Sequence, residues 1–367
     1  MYPRLRLCHS LLAQDGVLSI SIGNDEHANL KKICDDIFGE ENFVSSISRM
    51  MKSGGAKGRF FTPNLDYILI YAKNKELTNP FRSSIPPEQI RTYYNKIQDD
   101  GDRAGEKYGE ERLYKASLDA RPNQRYWIKC PDGSFVIPPG NTFPDVIEDG
   151  EKIKPNSDDG VWKWTYPTYK DEFNKGNIVF KETKTSALVD ESGNPSKYNI
   201  YNKLWLIDQQ EKGKVPSDFV GNFENRQSSA ELKELDIPFD YAKPVNLLSY
   251  LMEIFRCKDS DIVLDYFAGS ASTAHAVMLH NAQNDKKLRF ICVQLPEKVD
   301  PTSEAGKAGF GTITDIARER IRRSAEKTLT DNPDSILDHG FKSFRLSNSN
   351  IQTWNPDRTD LEESLLS

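Results

Sequence analysis

The segment LDYFAGSASTAHAVMLH, residues 264–280, decides the fold of this 367-residue chain. An apolar β-strand pattern ends near Asp265, small residues follow, and a helical pattern begins near Ala271. A helix that begins after such a turn presents free backbone N–H groups and the positive end of its dipole, and small residues let a ligand approach closely. The segment therefore predicts a ligand site at the carboxyl edge of a parallel sheet, with a plain strand-to-helix turn as the alternative. Phosphate-loop and G-x-G-x-x-G patterns are absent, since the turn contains only Gly269.

The same α/β texture occupies both ends of the chain and is interrupted between them. Strands are predicted over 17–22, 42–51, 66–74, 261–267, 288–297 and 340–348, with helices between them. The middle is rich in Pro, Gly and Asp, and it holds four of the five Trp residues, Trp127, Trp162, Trp164 and Trp205. We therefore predict domains over 1–74, 75–236 and 237–347, with a C-terminal extension over 348–367. The first and third form one α/β sheet, and the second is an irregular α+β insertion. Trp162, Trp164 and Tyr166 alternate as in a strand and are predicted to pack its core, with base stacking as the alternative.

Composition limits the classes of function. The 49 Lys and Arg residues against 55 Asp and Glu argue against bulk nucleic-acid binding but allow a local basic groove. No run of 18 apolar residues occurs, which predicts a soluble protein without membrane contact. Five scattered Cys without a C-x-x-C pair predict no zinc or other metal site and a reducing cytoplasmic location.

The segment 264–278 resembles the S-adenosylmethionine loop of amino-type DNA methyltransferases, written D-x-F-x-G-S-G-T-T-x-x-A. Its flanks are similar to those of the modification (Mod) subunits of type III restriction-modification systems. The matching segments are GVLSISIGNDEHANLKKICDDIFGEENFV, DYILIYAKN, AKPVNLLSYLM, RFICVQLPE, TITDIARERIRRSAEK and GFKSFRLSNSNIQTW. The resemblance implies a Rossmann-like, S-adenosylmethionine-dependent methyltransferase sheet that is circularly permuted. A target-recognition module interrupts this sheet, and the cofactor half comes last.

The resemblance also implies a set of cofactor-binding residues. They are Lys243, Pro244, Asp265, Phe267, Ala268, Gly269, Ser270, Ala271, Ser272, Thr273 and Gln294. Three positions depart from the family pattern, and one of them is Ser272, which stands where the family has a threonine. Ala271 replaces a glycine, and we expect its methyl group near the methionine part of the cofactor, tolerated if its φ is negative. Gln294 stands where the family has a ribose-binding acid, and its amide can donate and accept.

The family's catalytic (Asp/Asn)-Pro-Pro-(Tyr/Phe) motif is absent from the chain. The nearest match, DIPF at 236–239, has Ile237 in place of the first proline. We therefore expect a truncated Mod subunit without catalytic residues of its own. Its missing strand would lie between the strand ending at Asp265 and the strand over 17–22. By resemblance, the whole enzyme methylates adenine N6 in double-stranded DNA, as a Mod dimer with a helicase-nuclease restriction subunit. The alternatives are a non-catalytic cofactor or DNA binder and one half of a split methyltransferase.

Several polar residues outside the loop are weaker candidates. Lys52, Lys57 and Arg59 lie on a loop that can contact DNA phosphates, and Asn225 and Arg226 precede a helix. The arginines of the last helix are predicted to form a solvated face; they are Arg318, Arg320, Arg322 and Arg323. His275 is predicted to be a packed or capping residue.

Overall fold

The computed structural model describes residues 1–54, 60–333 and 340–347. Its N-terminal part contains α1 (Tyr2–Leu11), β1 (Val17–Ile22), α2 (Asn24–Phe38), β2 (Phe43–Met50) and β3 (Leu65–Ala72). The middle contains α3 (Pro87–Tyr93), β4 (Lys96–Ile97), β5 (Lys107–Arg112), β6 (Ile128–Lys129), β7 (Phe135–Ile137), α4 (Tyr166–Asn174), β8 (Ile178–Glu182), β9 (Val189–Asp190), β10 (Tyr198–Trp205) and α5 (Leu206–Lys212). The C-terminal part contains β11 (Phe219–Val220), α6 (Asn225–Glu234), α7 (Val245–Ile254), β12 (Ile262–Asp265), α8 (Ser272–Asn284), β13 (Arg289–Cys292), α9 (Glu304–Lys307) and α10 (Ile313–Asp331).

The chain divides into two compact units. The first joins Met1–Pro80 to Ser217–Ser367, and the second is Phe81–Pro216. The predicted boundaries were 74/75 and 236/237, so the residues after 216 fall in the first unit instead of the insertion. The reason is local pairing: β11 pairs in parallel with β2, and α6 places Leu232 in an apolar cluster with Ile316 of α10.

The first unit contains two sheets where one was predicted. One has the strand order β1-β3-β2-β11, and the other is the parallel pair β12-β13. The register of β1 with β3 runs antiparallel from Val17↔Ala72 to Ile22↔Tyr67. Among the strands in the described ranges, β1 pairs only with β3, and β12 pairs only with β13. Each sheet therefore has an edge without a strand partner in the described part of the chain.

Apolar periodicity explains the helices that cover these sheets. The helix α2 repeats Leu30, Cys34 and Phe38 on one face, and this face packs on β1 and β3. The helix α8 is buried over most of its surface, because α7 packs on one side of it and α10 on another. Its start is therefore fixed by the core, which positions the loop that precedes it.

The strand predicted over 340–348 is wrong for the residues that the structure describes. Residues 340–347 form no strand, and their apolar residues do not alternate strictly, since Phe341 and Phe344 are three positions apart. Phe344 and Leu346 are 86% and 96% exposed, and only Phe341 packs against the apolar cluster between α8 and α10. A short segment with a few apolar residues does not form a strand unless it pairs with a neighbouring strand. The extension over 348–367 lies outside the described residues.

The second unit has mixed α+β structure. Its sheets have the orders β4-β5-β10-β8 and β6-β7-β9. Trp162 is fully buried, its Nε1 donates to the carbonyl of Tyr126 at 2.8 Å, and Trp164 packs partly buried beside it. This confirms the predicted core role of these two Trp side chains. In the described ranges of the whole chain, no helix is both long enough and apolar enough to cross a membrane.

Candidate functional site

Asp265 shapes the loop that follows β12. Its Oδ1 accepts a hydrogen bond from the backbone N–H of Phe267 at 3.1 Å, and its Oδ2 accepts one from the hydroxyl of Thr273 at 2.6 Å. One carboxylate thus links the end of the strand to the first turn of α8. Phe267, about half exposed, lies at the open side of the loop, with the Arg4 guanidinium 5.1 Å from its ring centroid. The loop is therefore closed on itself at both ends, and among its residues Phe267 is the exposed one and Gly269 is partly exposed.

Gly269 is the glycine of the loop and lies beside an aromatic ring. Its φ of +52° lies in the left-handed region, which glycine adopts without steric strain. A Cβ atom at this position would lie 3.6 Å from the ring of Phe239. Phe239 belongs to the DIPF segment and was not assigned to the site from the sequence. Its only signal there was its position ahead of the Lys-Pro segment.

Gln294 supports the loop from the neighbouring strand end. Its Oε1 accepts a hydrogen bond from the backbone N–H of Gly269 at 2.9 Å, and Ala268 N–H donates to the carbonyl of Val293 at 3.3 Å. The Gln294 carbonyl oxygen is thus engaged by the loop. A ribose contact by this residue stays a prediction.

Ala271 differs from both expectations made for it. Its φ is +61° and its ψ is +43°, so the backbone is left-handed where we expected a negative φ. Its side chain is fully buried in the cluster formed by α8 and α10, together with Met278 and Ile321. The methyl group therefore packs into the core, and the consequence of replacing glycine is backbone strain of about 1–2 kcal/mol.

Arg320 corrects the prediction of a solvated arginine face. Its side chain is fully buried, and its Nη1 donates to the hydroxyls of Ser270 and Ser272 at 2.7 and 2.8 Å. Burial lowers its pKa to about 10. The signal was present in the sequence, because Arg320 falls on the same helical face as Ile316 and Ser324. The solvated interpretation is confirmed for Arg318 and Arg322, which form surface ion pairs with Asp315 and Glu319. Arg323 departs from it, because it donates to the backbone carbonyls of Leu235 and Asp236 at 2.9 and 2.7 Å besides its pair with Glu319.

Lys243 belongs to a buried charge cluster. Its Nζ lies 3.4 Å from Asp66 Oδ2, and Arg49 binds the same carboxylate through Nε and Nη2 at 2.7 and 2.5 Å. Burial lowers the pKa of Lys243, Asp66 opposes that shift, and Arg49 adds to it. Two cations thus share one carboxylate, which leaves the cluster one positive charge in excess. Pro244 follows as the N-cap of α7.

The predicted DNA-contacting residues are brought together in part. The backbone N–H of Asn225 donates to the carbonyl of Met51 at 2.8 Å, which places the start of α6 beside exposed Lys52. The Asn225 side chain accepts from Arg49 at 3.0 Å, so it also supports the charge cluster. Arg226 is 78% exposed and pairs with Glu224 at 3.2 Å. Lys57 and Arg59 lie outside the described residues.

Two titratable side chains near the loop are held neutral by burial. The pKa of His275 falls to about 3 because burial penalises its charged form, and neighbouring Arg320 and Lys327 lower it further. This confirms the prediction of a packed histidine. Burial also raises the pKa of the Cys292 thiol to about 12. In the described part of the chain, no group of three or more His, Cys, Asp or Glu side chains could hold a metal ion.

Comparison with known proteins places this geometry in a family. Residues 1–300 match the family model for N6/N4 DNA methylases. The chain is 29% identical over 358 residues to the EcoPI Mod subunit of Escherichia phage P1, covering 93% of this chain and 52% of that protein. It is 30% identical over 367 residues to the EcoP15I Mod subunit of Escherichia coli, covering 94% and 52%. Both relatives are subunits of type III restriction-modification enzymes.

One solved structure is also similar at low identity. It is a DNA modification methylase of Thermus thermophilus in complex with S-adenosyl-L-methionine, 13% identical, with a TM-score of 0.33 over 87% of this chain and 73% of that one. The chain spans about half the length of the curated Mod subunits it matches. The family match over residues 1–300 shows that this chain belongs to the N6/N4 DNA methylase family.

Proposed function

We propose that the loop Phe267–Thr273 binds S-adenosylmethionine. We further propose that the chain is part of a type III Mod subunit, and that this subunit methylates N6 of adenine in double-stranded DNA. The observation that carries the proposal is the loop between β12 and α8, shaped by Asp265 and closed on the core side by buried Ala271. Membership of the DNA methylase family and the likeness to Mod subunits support it. The second Mod copy, the restriction subunit and the cytoplasmic location belong to the same proposal.

The residues present fit this cofactor. Ala268 and Gly269 are small residues, and the Phe239 ring lies beside Gly269, where an aromatic ring can contact a cationic or planar group. When bound, S-adenosylmethionine supplies an electrophilic methyl group on a positively charged sulfur. The excess positive charge at Lys243 suits the carboxylate of the methionine part, and the free N–H groups at the start of α8 favour polar atoms of the cofactor.

The DNA role is assigned to two regions. Lys52 and Arg226 are exposed cations on two neighbouring segments of the chain. We assign both to phosphate contact. The unit Phe81–Pro216 is proposed to read the target sequence. The target adenine has to leave the base stack before its amine can reach the methyl group. The overall charge of −6 means that steering must come from local basic surfaces.

The transfer step requires groups that these 367 residues do not contain, since no Asp-Pro-Pro-Tyr type motif occurs in them. The two sheet edges favour a specific position for those groups. Tyr266, directly after β12, packs on the apolar cluster of α1, β1 and α2, so the free edges of β1 and β12 lie on neighbouring sheets. We propose that a strand from polypeptide outside this sequence pairs between them and carries the catalytic groups. The split-enzyme alternative rests on the same observation.

Calorimetric titration tests the cofactor proposal. The chain should bind S-adenosylmethionine and show no comparable heat with ATP or NAD. Asp265→Ala should weaken binding at least tenfold, because the two hydrogen bonds of the Asp265 carboxylate, to Phe267 and Thr273, are lost. Asp261→Ala is the matched control, since the Asp261 carboxylate accepts from the backbone N–H of Lys258 near the exposed start of β12, away from the loop. Equal affinity of Asp265→Ala and the unmodified chain would contradict the proposed site.

A methyl-transfer assay separates binding from catalysis. With tritiated S-adenosylmethionine and double-stranded DNA, this chain alone should incorporate no label. Label incorporated by the chain alone would refute the placement of the catalytic groups outside it. Binding of the cofactor without transfer would agree with both the cofactor site and the missing catalytic strand.

A further inference from the structure

Arg320 makes an unusual set of contacts for a helix residue. Its Nη1 donates to the hydroxyls of Ser270 and Ser272, which lie on either side of Ala271. These two contacts cross about fifty positions of sequence and join α10 to the loop. Both serine side chains are buried, so neither hydroxyl is freely exchanged with solvent. One guanidinium nitrogen therefore fixes the two residues that flank the left-handed position.

Burial of this guanidinium is unfavourable by itself. Its Nε and Nη2 are buried and have no hydrogen-bond partner among the described residues. Its nearest compensating charge is Glu231, a half-buried carboxyl that also accepts from the backbone N–H of Val245 at 3.2 Å. An unpaired buried donor destabilises a fold, and an apolar residue of similar shape would avoid that. We therefore expect Arg320 to act on the conformation of the loop and not on the stability of the core.

The loop needs such support because of Ala271. An alanine at φ +61° is strained, whereas glycine is not. Without an external tether, the turn would relax toward a negative φ and carry the backbone of Gly269 and Ser270 with it. Asp265 anchors the two ends of the loop, at Phe267 and Thr273, and Gln294 anchors Gly269, but neither contacts Ser270 or Ala271 in the described hydrogen bonds. Arg320 is the tether for the turn from Ser270 to Ser272.

We propose that Arg320 is a positioning residue that holds the strained turn at Ala271 and so keeps the loop Phe267–Thr273 in its ligand-binding shape. The ligand part of this inference rests on the proposed cofactor function. The positioning part does not, because the contacts exist in the protein without ligand. The two parts can be tested separately on the whole chain.

The first test uses amide hydrogen exchange without ligand. The backbone N–H groups of Gly269 and Ala271 are hydrogen-bonded, to Gln294 and to the carbonyl of Ala268, and their protection reports on the loop. Arg320→Met should raise their exchange rates at least tenfold, and Arg318→Met, which removes a surface ion pair of the same helix, should not. Unchanged exchange in Arg320→Met would overturn the proposal. If that variant fails to fold, the pair Ser270→Ala with Ser272→Ala removes the acceptors and must give the same rise.

The second test measures cofactor affinity and rescue. Arg320→Met should raise the Kd for S-adenosylmethionine about tenfold, and Arg320→Lys should restore part of it. Adding Ala271→Gly to Arg320→Met should recover most of the affinity, since glycine holds the left-handed turn without a tether. A merely structural arginine would lower the melting temperature in both backgrounds with no rescue of affinity, which would overturn the proposal. If the unmodified chain binds no cofactor while loop exchange still rises in Arg320→Met, the proposed function fails and the positioning role stands.

Discussion

Removing Arg49 is the most informative perturbation of the first unit. This fully buried side chain binds Asp66 through two nitrogens, at 2.7 and 2.5 Å, and also donates to the carbonyl of Phe223 at 2.9 Å and to Asn225 at 3.0 Å. It therefore ties β2, β3 and the start of α6 together. Breaking a buried ion pair from one side costs about 3–5 kcal/mol. Because Lys243 still faces Asp66 at 3.4 Å, we expect Arg49→Met to lower the free energy of unfolding by about 3 kcal/mol, the lower end of this range.

The double variant Arg49→Met with Asp66→Leu should lose only about 1 kcal/mol of stability, because no unpaired carboxylate remains. The coupling energy between the two positions should thus exceed about 2 kcal/mol, because the double variant loses about 2 kcal/mol less than Arg49→Met alone and Asp66→Leu by itself is also destabilising. Arg318→Met is the matched control, since it breaks only a surface pair that contributes less than about 1 kcal/mol.

Urea denaturation followed by two signals provides the assay. Far-UV circular dichroism reports largely on the first unit, which contains the long helices α2, α8 and α10. Tryptophan fluorescence reports on the second unit, which contains four of the five Trp residues. Arg49→Met should shift the first transition and leave the second in place. A loss below about 1 kcal/mol in Arg49→Met, or a double variant as unstable as the sum of the singles, would refute this account of the charge cluster.

Three further results are expected. Between pH 7.5 and pH 5, His275 should lower the free energy of unfolding by about 2 kcal/mol. The reason is that the unfolded side chain, with a pKa of 6.5, takes up a proton in this range, whereas the folded one, with a pKa of about 3, does not. Urea denaturation of His275→Leu at both pH values should not show this loss. Native Cys34, Cys130 and Cys292 should react slowly with a thiol reagent at pH 8, since burial raises each pKa to about 12, and reaction as fast as in the denatured chain would contradict their burial. Gly269→Ala should lower the free energy of unfolding by about 1 kcal/mol, because an alanine is strained at the φ of +52° while the Phe239 ring leaves room for the methyl group. A loss of several kcal/mol in thermal unfolding would contradict this geometry.

Local patterns predicted the elements around the site well. The strand before Asp265 and the helix after Ala271 were predicted from spacing and turn residues, and the structure contains them. These elements follow from short-range rules, since a helix stripe or an apolar strand is visible within one window of sequence. The same rules predicted a strand over 340–348 that has no neighbouring edge to pair with in the described residues.

The site itself was predicted only in part. Asp265, Gly269 and Thr273 were assigned by resemblance, and the structure brings them into one closed loop. Phe239 and Arg320 were not assigned, because nothing in the sequence shows which distant side chain will meet the loop. Ala271 was assigned with the wrong backbone conformation, since φ depends on how the turn is held from outside.

The sequence by itself determined the class of this protein. The small-residue turn after Asp265, the interrupted α/β pattern and the resemblance to Mod subunits identify the family without any coordinates. Only the tertiary structure decided which charges are buried together, as in the Arg49–Asp66–Lys243 cluster, and which residue holds Ala271 in its left-handed turn. The physical reason is distance along the chain: strand and helix patterns are local, whereas the partners of Asp66 and Ser270 come from segments that only folding brings together.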